Sequence, residues 1–397
     1  MAELSFESLR FEEKHNTVRV IFMGCFYFEL KKIQIEKIGE FNLSERVIEF
    51  PGVSHDKALR KFMFLVDKGL NELRSISTGN RAVYVHRNSG IPLIGTGYMG
   101  IVDRNTNLIE IKPQTGCNLN CIFCSVGEGI TSKKNDFVVE KDYLVEELRK
   151  LIEFKGEDDI EVHVGTNGEP LLYEPLVDLV RDVSKIDGVK RISMDTNGTL
   201  LTREKVDALV DAGMTGFNIS INALEERKAK KLAGVNFDFY KQMEIAEYIA
   251  SLDVRLNIAP IWVPGHNDEQ MRKLAGFVQR LGNAWLAIQN FLEYKGGRRP
   301  ARQKPWDKFY SELREMEKEF GMKFVYTAED FGVYHTKKLP KPFKKNDVVR
   351  VKIVSIGRDE MLGVAEDRVV SVIGDYKIGS RVNVRILRDK HNIFLAK

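Results

Sequence analysis

From about Thr96 to Glu293, short apolar runs alternate with amphipathic stretches, and no other feature narrows the fold as much. Apolar residues at period two mark strands, and those at spacings of three and four mark helices. Strands are expected at Leu108 to Ile111, Ile160 to Val164, Arg191 to Met194, Phe217 to Ile221, Val254 to Ile261 and Trp285 to Phe291. Helices are expected at Lys141 to Phe154, Glu174 to Ile186, Arg203 to Ala212, Phe239 to Ser251 and Asp268 to Leu281. Such alternation builds parallel βα units. A closed eight-fold barrel takes about 250 residues, more than this stretch holds. The expected core is therefore α/β, a partial (β/α)6 barrel over residues 96–293.

Three regions flank this core. Residues 1–95 mix strand-like runs (Val18 to Leu30, Arg81 to His86) with a helical pattern from about His55 to Ser75. That helix would put Ala58, Leu59, Phe62, Leu65, Val66, Leu70 and Leu73 on one face. This N-terminal α/β appendage carries no legible chemistry. Residues 294–342 form a basic connector with an amphipathic helix near Trp306 to Phe320, ending in the linker-like Lys337-Lys338-Leu339-Pro340-Lys341-Pro342. In residues 343–397, short alternating strands punctuated by Gly357, Gly374 and Gly379 point to a small OB-like β-barrel. The whole chain carries a net charge of only +4, yet Pro340 to Lys397 holds thirteen Lys/Arg against seven Asp/Glu. Positive charge gathered at that end favours a polyanionic partner. No stretch approaches the ~20 apolar residues that cross a bilayer, so no membrane partner is expected.

Of four cysteines, three fall in one loop after the first core strand: Gly116-Cys117-Asn118-Leu119-Asn120-Cys121-Ile122-Phe123-Cys124. The fourth, Cys25, sits in an apolar run, as a small buried hydrophobe would. Nothing resembles a signal peptide, so a reducing cytoplasm is expected and a disulfide is disfavoured. A Cys3His zinc site would need His163 as its fourth ligand. A four-iron cluster takes four thiolates when fully ligated. Three would leave one iron open to a substrate, as catalytic zinc sites leave a position open.

The C-x3-C-x2-C spacing, with an aromatic before the last cysteine, resembles the signature of the radical SAM superfamily. The resemblance implies one [4Fe-4S] cluster held by Cys117, Cys121 and Cys124, with S-adenosylmethionine (SAM) on the open iron. Later loops resemble the family's other motifs in the same order, each after a strand, where parallel α/β folds place ligands. Gly165-Thr166-Asn167-Gly168-Glu169-Pro170 would hold the methionine amino group of SAM through Gly168 and Glu169. Asp195-Thr196-Asn197-Gly198 would bring Thr196 and Asn197 near the cofactor. Ser220-Ile221-Asn222-Ala223 would offer Ser220 and Asn222 to a ribose hydroxyl or a carboxylate. Arg227 is either a clamp on the methionine carboxylate or part of a solvated helix face. Phe123 would cover the adenine as an aromatic surface, and Ile258, in Asn257-Ile258-Ala259-Pro260-Ile261, would either flank it or pack in the core. Gln289-Asn290-Phe291 ends the sixth strand at the expected substrate mouth, and His266 is a loop histidine at the same end.

Residues 343–397 resemble a TRAM domain, an RNA-binding module found on radical SAM tRNA methylthiotransferases. The resemblance implies a phosphate-tracking surface made of Lys344, Lys345, Arg350, Lys352, Arg381, Arg385 and Arg388, with Arg358 and Lys390 beside them. The aromatics available for stacking are few: Phe343, Tyr376 and Phe394. The expected protein is a cytoplasmic, archaeal-type radical SAM enzyme acting on a tRNA nucleoside, with a ferredoxin- or flavodoxin-type electron donor. Reductive cleavage of SAM would yield a 5′-deoxyadenosyl radical that abstracts hydrogen from an unactivated C–H bond. Cys25 alone cannot support a second cluster, which disfavours methylthiolation. No cysteine follows Cys124, which disfavours the cysteine-based chemistry of ribosomal RNA radical methylases. Methylation by a second SAM, another alkyl modification or a rearrangement is left. A small-molecule or cofactor-precursor substrate, and a non-catalytic RNA-binding metal protein, are the alternatives.

Overall fold

The structure, a computed structural model, describes residues 2–165 and 167–397. Six parallel strands lie side by side in chain order: Leu108–Lys112, Ile160–Val164, Val189–Thr196, Gly216–Ile219, Arg255–Ile258 and Trp285–Leu286. Strand Gly100–Asp103 extends the sheet antiparallel to the first of them. Successive residues of a strand face opposite sides, and the register sorts them cleanly. Ile111, Val164, Met194, Phe217 and Leu256 form one row. All five are buried, in one core with Leu148, Val183, Leu209, Ile249 and Val278 of the crossover helices. The opposite face is polar, with Glu110, His163 and Ser193 in one row and Asp195, Asn218 and Asn257 in another. Buried charge must be paired, and here it is. His163 Nε2 lies 3.2 Å from Asp195, and Arg255 lies 2.6 Å from Glu161, which also accepts from Ser193.

The strand and helix order follows the sequence expectation, with local differences that have physical causes. The fifth and sixth runs each break in two, giving Ile261–Trp262 and Gln289–Asn290 as separate strands that pair with each other. Pro260, which has no N–H to give a ladder, stands at the first break. Val18 to Leu30 is a hairpin, Thr17–Phe22 with Phe26–Lys31, turned at Met23-Gly24. The N-terminal helix is His55–Leu70; Leu73 lies beyond its end, and Leu59 is exposed. Helix Glu226–Ala233 is an element the periodicity did not isolate.

The N-terminal strands form two antiparallel sheets, and their core is continuous with that of the parallel sheet. Strand Ala82–Val85 pairs parallel with Asp136–Val139, so residues 1–95 are joined to the next region by backbone hydrogen bonds. Cys25 packs partly buried against this core, with its Sγ 3.1 Å from the Leu172 carbonyl. The connector helix is Trp306–Phe320. At the C-terminus, five strands close into a barrel around Val351, Ile353, Val370, Val384, Ile386 and Phe394. Among the described residues, no helix is long and apolar enough to cross a membrane.

The barrel is seated on the rest of the chain at residues 94 and 95. Val369 N–H donates to the Ile94 carbonyl at 2.9 Å, and Phe394 N–H to the Gly95 carbonyl at 3.0 Å. Gly95 has φ +142, and a Cβ there would stand 2.1 Å from the Val369 carbonyl oxygen. Only glycine suits both the backbone and the space. Gly95→Ala is expected to destabilise the protein by about 1–3 kcal/mol, read as a lower thermal midpoint. An unchanged midpoint would mean that the seam is not closely packed.

Candidate active site

Two short parallel strands, Thr115–Gly116 and Asn167–Gly168, bring the cysteine loop against the glutamate loop. Glu169 N–H donates to the Gly116 carbonyl at 2.8 Å, and Gln114 Nε2 donates to the Glu169 carbonyl at 2.9 Å. Gly168 has φ +155, and a Cβ there would meet the Gly116 oxygen at 2.0 Å. The glycine thus permits the close approach of the two loops. Thr166, in the same motif, lies outside the described residues.

Cys117, Cys121 and Cys124 line one cavity with Phe123, Gly168, Glu169, Thr196, Asn197, Ser220 and Asn222. The loop carrying the thiols is held from several sides. Asn120 and Ile122 donate to the Ala233 and Leu232 carbonyls at the end of helix Glu226–Ala233. Arg298, from the basic connector, donates through Nη1 to the Cys121 carbonyl at 2.7 Å and through its backbone N–H to the Cys124 carbonyl at 2.9 Å. Burial pushes the Cys121 thiol up to about 12, with Cys124 adding to the effect. Burial pushes Cys117 up further, with the Glu169 carboxylate second. Cys117 and Cys121 hold their protons until a cationic centre arrives, so loading it must release protons.

The Glu169 carboxylate is buried and accepts from Thr196 Oγ1 at 2.7 Å, Asn197 N–H at 2.8 Å and Leu171 N–H at 3.1 Å. Even with three donors, burial raises its pKa to about 7. Thr196 thus orients Glu169. Asn197 Nδ2 bonds Asn118 at 2.9 Å, tying the third-strand loop to the cysteine loop. Asn222 staples backbone, with its Oδ1 accepting from Ile261 N–H and its Nδ2 donating to the Ser220 carbonyl. Phe123 lines the cavity and packs with Ala229, Leu232 and Phe291.

Two expected residues are not at the site. Ile258 belongs to the apolar, helix-packed face of the fifth strand and is 0 % exposed. Ala259 and Ile261, after the strand, line the cavity instead. Arg227 is exposed on its helix and absent from the cavity wall, so it is a solvated helix residue. His163 also stays away from the thiols. Its ring nitrogens engage Ser193 and Asp195 on the polar face of the sheet, so His163 does not complete a Cys3His set. Gln289 lines the cavity, whereas Asn290 is buried and donates to the Lys304 carbonyl. His266 sits on its loop near the Pro300 carbonyl. Sequence reasoning missed Asp195, Gln242 and Glu128 in the wall. Asp195 stood in a quoted motif, but Gln242 reaches the Asn197 carbonyl from a distant helix, and no local pattern reveals that.

The donor set fits a four-iron cluster with one open position. Three thiols share the cavity, no fourth appears among its described lining residues, and a buried carboxylate and small polar groups stand opposite. Cys25 is occupied elsewhere, at the Leu172 carbonyl.

On the barrel, Arg350 and Lys352 lie on one strand, opposite Asn383 and Arg381 on its antiparallel neighbour, with Arg385 further along. These four cations, with Lys344, Lys345 and Arg388, are all exposed. Phe343 and Phe394 pack edge-to-face in the barrel core, with ring centroids 5.3 Å apart, and are not available to stack on bases. The Arg358 side chain is buried against Glu128, not part of this surface.

The raised Glu169 pKa sets a pH dependence for the cofactor-free protein. A carboxyl that binds its proton more tightly folded than unfolded adds stability at low pH and loses it as pH rises through the folded value. Between pH 5 and pH 8, cofactor-free wild type should lose on the order of 3 kcal/mol relative to Glu169→Gln, read by denaturant titration at each pH. Parallel curves for the two proteins would contradict this account of Glu169.

A model of the radical SAM superfamily matches residues 111–278, the stretch that contains the cysteine loop and the loops of Glu169, Thr196 and Ser220. The chain is 41% identical over 360 residues to uncharacterized protein MJ0103 of Methanocaldococcus jannaschii, covering 82% of this chain and 83% of that one. It is 28% identical over 194 residues to the GTP 3′,8-cyclase of Aquifex aeolicus, covering 49% of this chain and 58% of the cyclase. A solved structure of TYW1 with a lysine-pyruvate adduct aligns with a TM-score of 0.42 at 18% identity, over 58% of this chain and 80% of that one. The matched stretch brings with it the superfamily's cofactors, a [4Fe-4S] cluster and SAM. The chain belongs to the radical SAM superfamily, in one family with the Methanocaldococcus jannaschii protein.

Proposed function

We propose that this radical SAM enzyme modifies a nucleoside of tRNA, with Cys117, Cys121 and Cys124 holding its cluster. When bound, the cluster and SAM together supply a hydrogen-abstracting 5′-deoxyadenosyl group. The chain's own residues do the rest. Glu169, oriented by Thr196 and the Asn197 amide, receives the methionine ammonium. Ser220, Asn222 and Gly168 line the cavity that would hold the cofactor, and Phe123 would give it an apolar wall that excludes water. The electron donor is of ferredoxin or flavodoxin type and the setting is cytoplasmic.

One observation carries the RNA reading. The barrel presents Arg350, Lys352, Arg381 and Arg385 on two adjacent strands, facing out, while Val351, Ile353, Val384 and Ile386 fill the inside. A basic stripe of this kind follows a phosphate backbone. With Phe343 and Phe394 buried, it reads shape and charge, as expected of a TRAM-like module. Methylation or another alkyl modification is the favoured product class, since the chain lacks the cysteines for methylthiolation.

A second reading has support from the partial likeness to proteins named GTP 3′,8-cyclase. In it the substrate is a free purine nucleotide. Mass spectrometry of tRNA nucleosides from a deletion strain separates the two. Loss of one modified nucleoside supports the tRNA reading, and an unaltered profile removes it. Binding supplies a second check. Each of Lys352→Ala and Arg385→Ala should weaken tRNA binding across sequences and reduce the salt slope by about 1, with SAM cleavage unchanged. A slope equal to wild type would take the barrel out of RNA binding. Cys121→Ala should abolish SAM cleavage under dithionite, and cleavage at the wild-type rate would overturn the cluster assignment.

A further inference from the structure

The turn joining barrel strands Val348–Ile356 and Met361–Ala365 reaches back to the cysteine loop. Arg358 on this turn contacts Glu128 through Nη1 and Oε1, and the two side chains are 5% and 2% exposed. The neighbours of the pair lock the same joint. Asn135 Nδ2 donates to the Gly357 carbonyl at 2.8 Å, and Tyr98 Oη donates to Glu360 Oε1 at 3.1 Å. Glu128 lines the cavity with the cysteines, and its backbone N–H donates to Cys124 Sγ at 3.2 Å.

A buried ion pair is a poor way to fasten two domains, because desolvation offsets most of its attraction and an apolar contact would serve as well. Among the described residues, this one also leaves both Glu128 carboxylate oxygens, Arg358 Nε and Arg358 Nη2 without hydrogen-bond partners, the ion-pair contact apart. Its position is what distinguishes it. It stands one peptide group away from a sulfur that ligates the cluster in the reading above, on which this inference rests. Hydrogen bonds to ligand sulfurs and nearby charge tune the reduction potential of an iron–sulfur cluster.

We propose that Arg358 is a positioning residue for the cluster. Through Glu128 it fixes the amide that donates to Cys124 and balances the charge beside the cluster, so the C-terminal barrel is part of the redox site as well as an RNA-binding module. The barrel and the cysteine loop then form one unit, with RNA engaged on the outer strands and the cluster held from the inner turn.

The test uses full-length protein reconstituted anaerobically, with the midpoint potential of the cluster read by EPR-monitored titration. Glu128→Gln keeps the backbone amide but leaves the Arg358 cation unbalanced, so the potential should move positive. Adding Arg358→Met to Glu128→Gln removes that cation, and the potential should return toward wild type. A Glu128→Gln potential equal to wild type would overturn the proposal. Hydrogen exchange on the wild-type chain gives a second readout that needs no variant. Loading the cluster should slow exchange in residues 356–361 together with residues 117–128. Slowing confined to residues 117–128 would also overturn it. A wild-type chain that takes up no iron and sulfide would sink the cluster reading itself, a distinct outcome.

Discussion

The two-residue parallel pairing of Thr115–Gly116 with Asn167–Gly168 is the contact on which the site depends. A Cβ at Gly168 would meet the Gly116 oxygen at 2.0 Å, so the close approach is possible because glycine has none. It sets the cysteine loop and the glutamate loop at a fixed distance. The polar groups around Glu169 are oriented against that pair. Thr196 and the Asn197 amide hold the Glu169 carboxylate, Asn197 reaches back to Asn118, and Gln242 fixes the Asn197 carbonyl. The network is closed and mostly buried, so each member is costly to lose.

The parallel sheet gives this pairing its platform. Its apolar face is committed to the helices, and its polar face carries a chain of paired groups from Glu161 through Ser193 and His163 to Asp195 at the cavity wall. This division puts polar groups where a charged cofactor needs them and keeps the apolar residues in the core. It also explains the two halves of the broken fifth and sixth strands. Past Pro260 the chain leaves the apolar row, and Ile261 and Gln289 then turn toward the cavity.

Much of this was legible in the sequence, and the reason is local. Cys117, Cys121, Cys124, Glu169, Thr196 and Ser220 each end or follow a strand, and strand ends show as breaks in apolar periodicity. The order of the parallel strands and the five-stranded barrel were legible for the same reason. Ile258 was ambiguous between core and cavity because its strand's facing depends on register with neighbours, which one strand cannot disclose. Arg227 was ambiguous because a basic residue on a helix looks the same at a site and in solvent. Arg358 was grouped with the surface cations because its counter-charge, Glu128, lies far away in sequence. Charge composition tells how many cations a barrel has, but tertiary contact decides which of them face solvent.

The central claim is that three thiolates of one loop hold a four-iron cluster whose remaining iron is open to SAM. The most direct measurement is EPR of the dithionite-reduced, anaerobically reconstituted protein with and without SAM, alongside iron and sulfide analysis. The account predicts four irons and four sulfides per chain, and a [4Fe-4S]1+ spectrum that changes on adding SAM. A four-iron cluster whose spectrum ignores saturating SAM, or a chain that loads fully after Cys121→Ala, would contradict it.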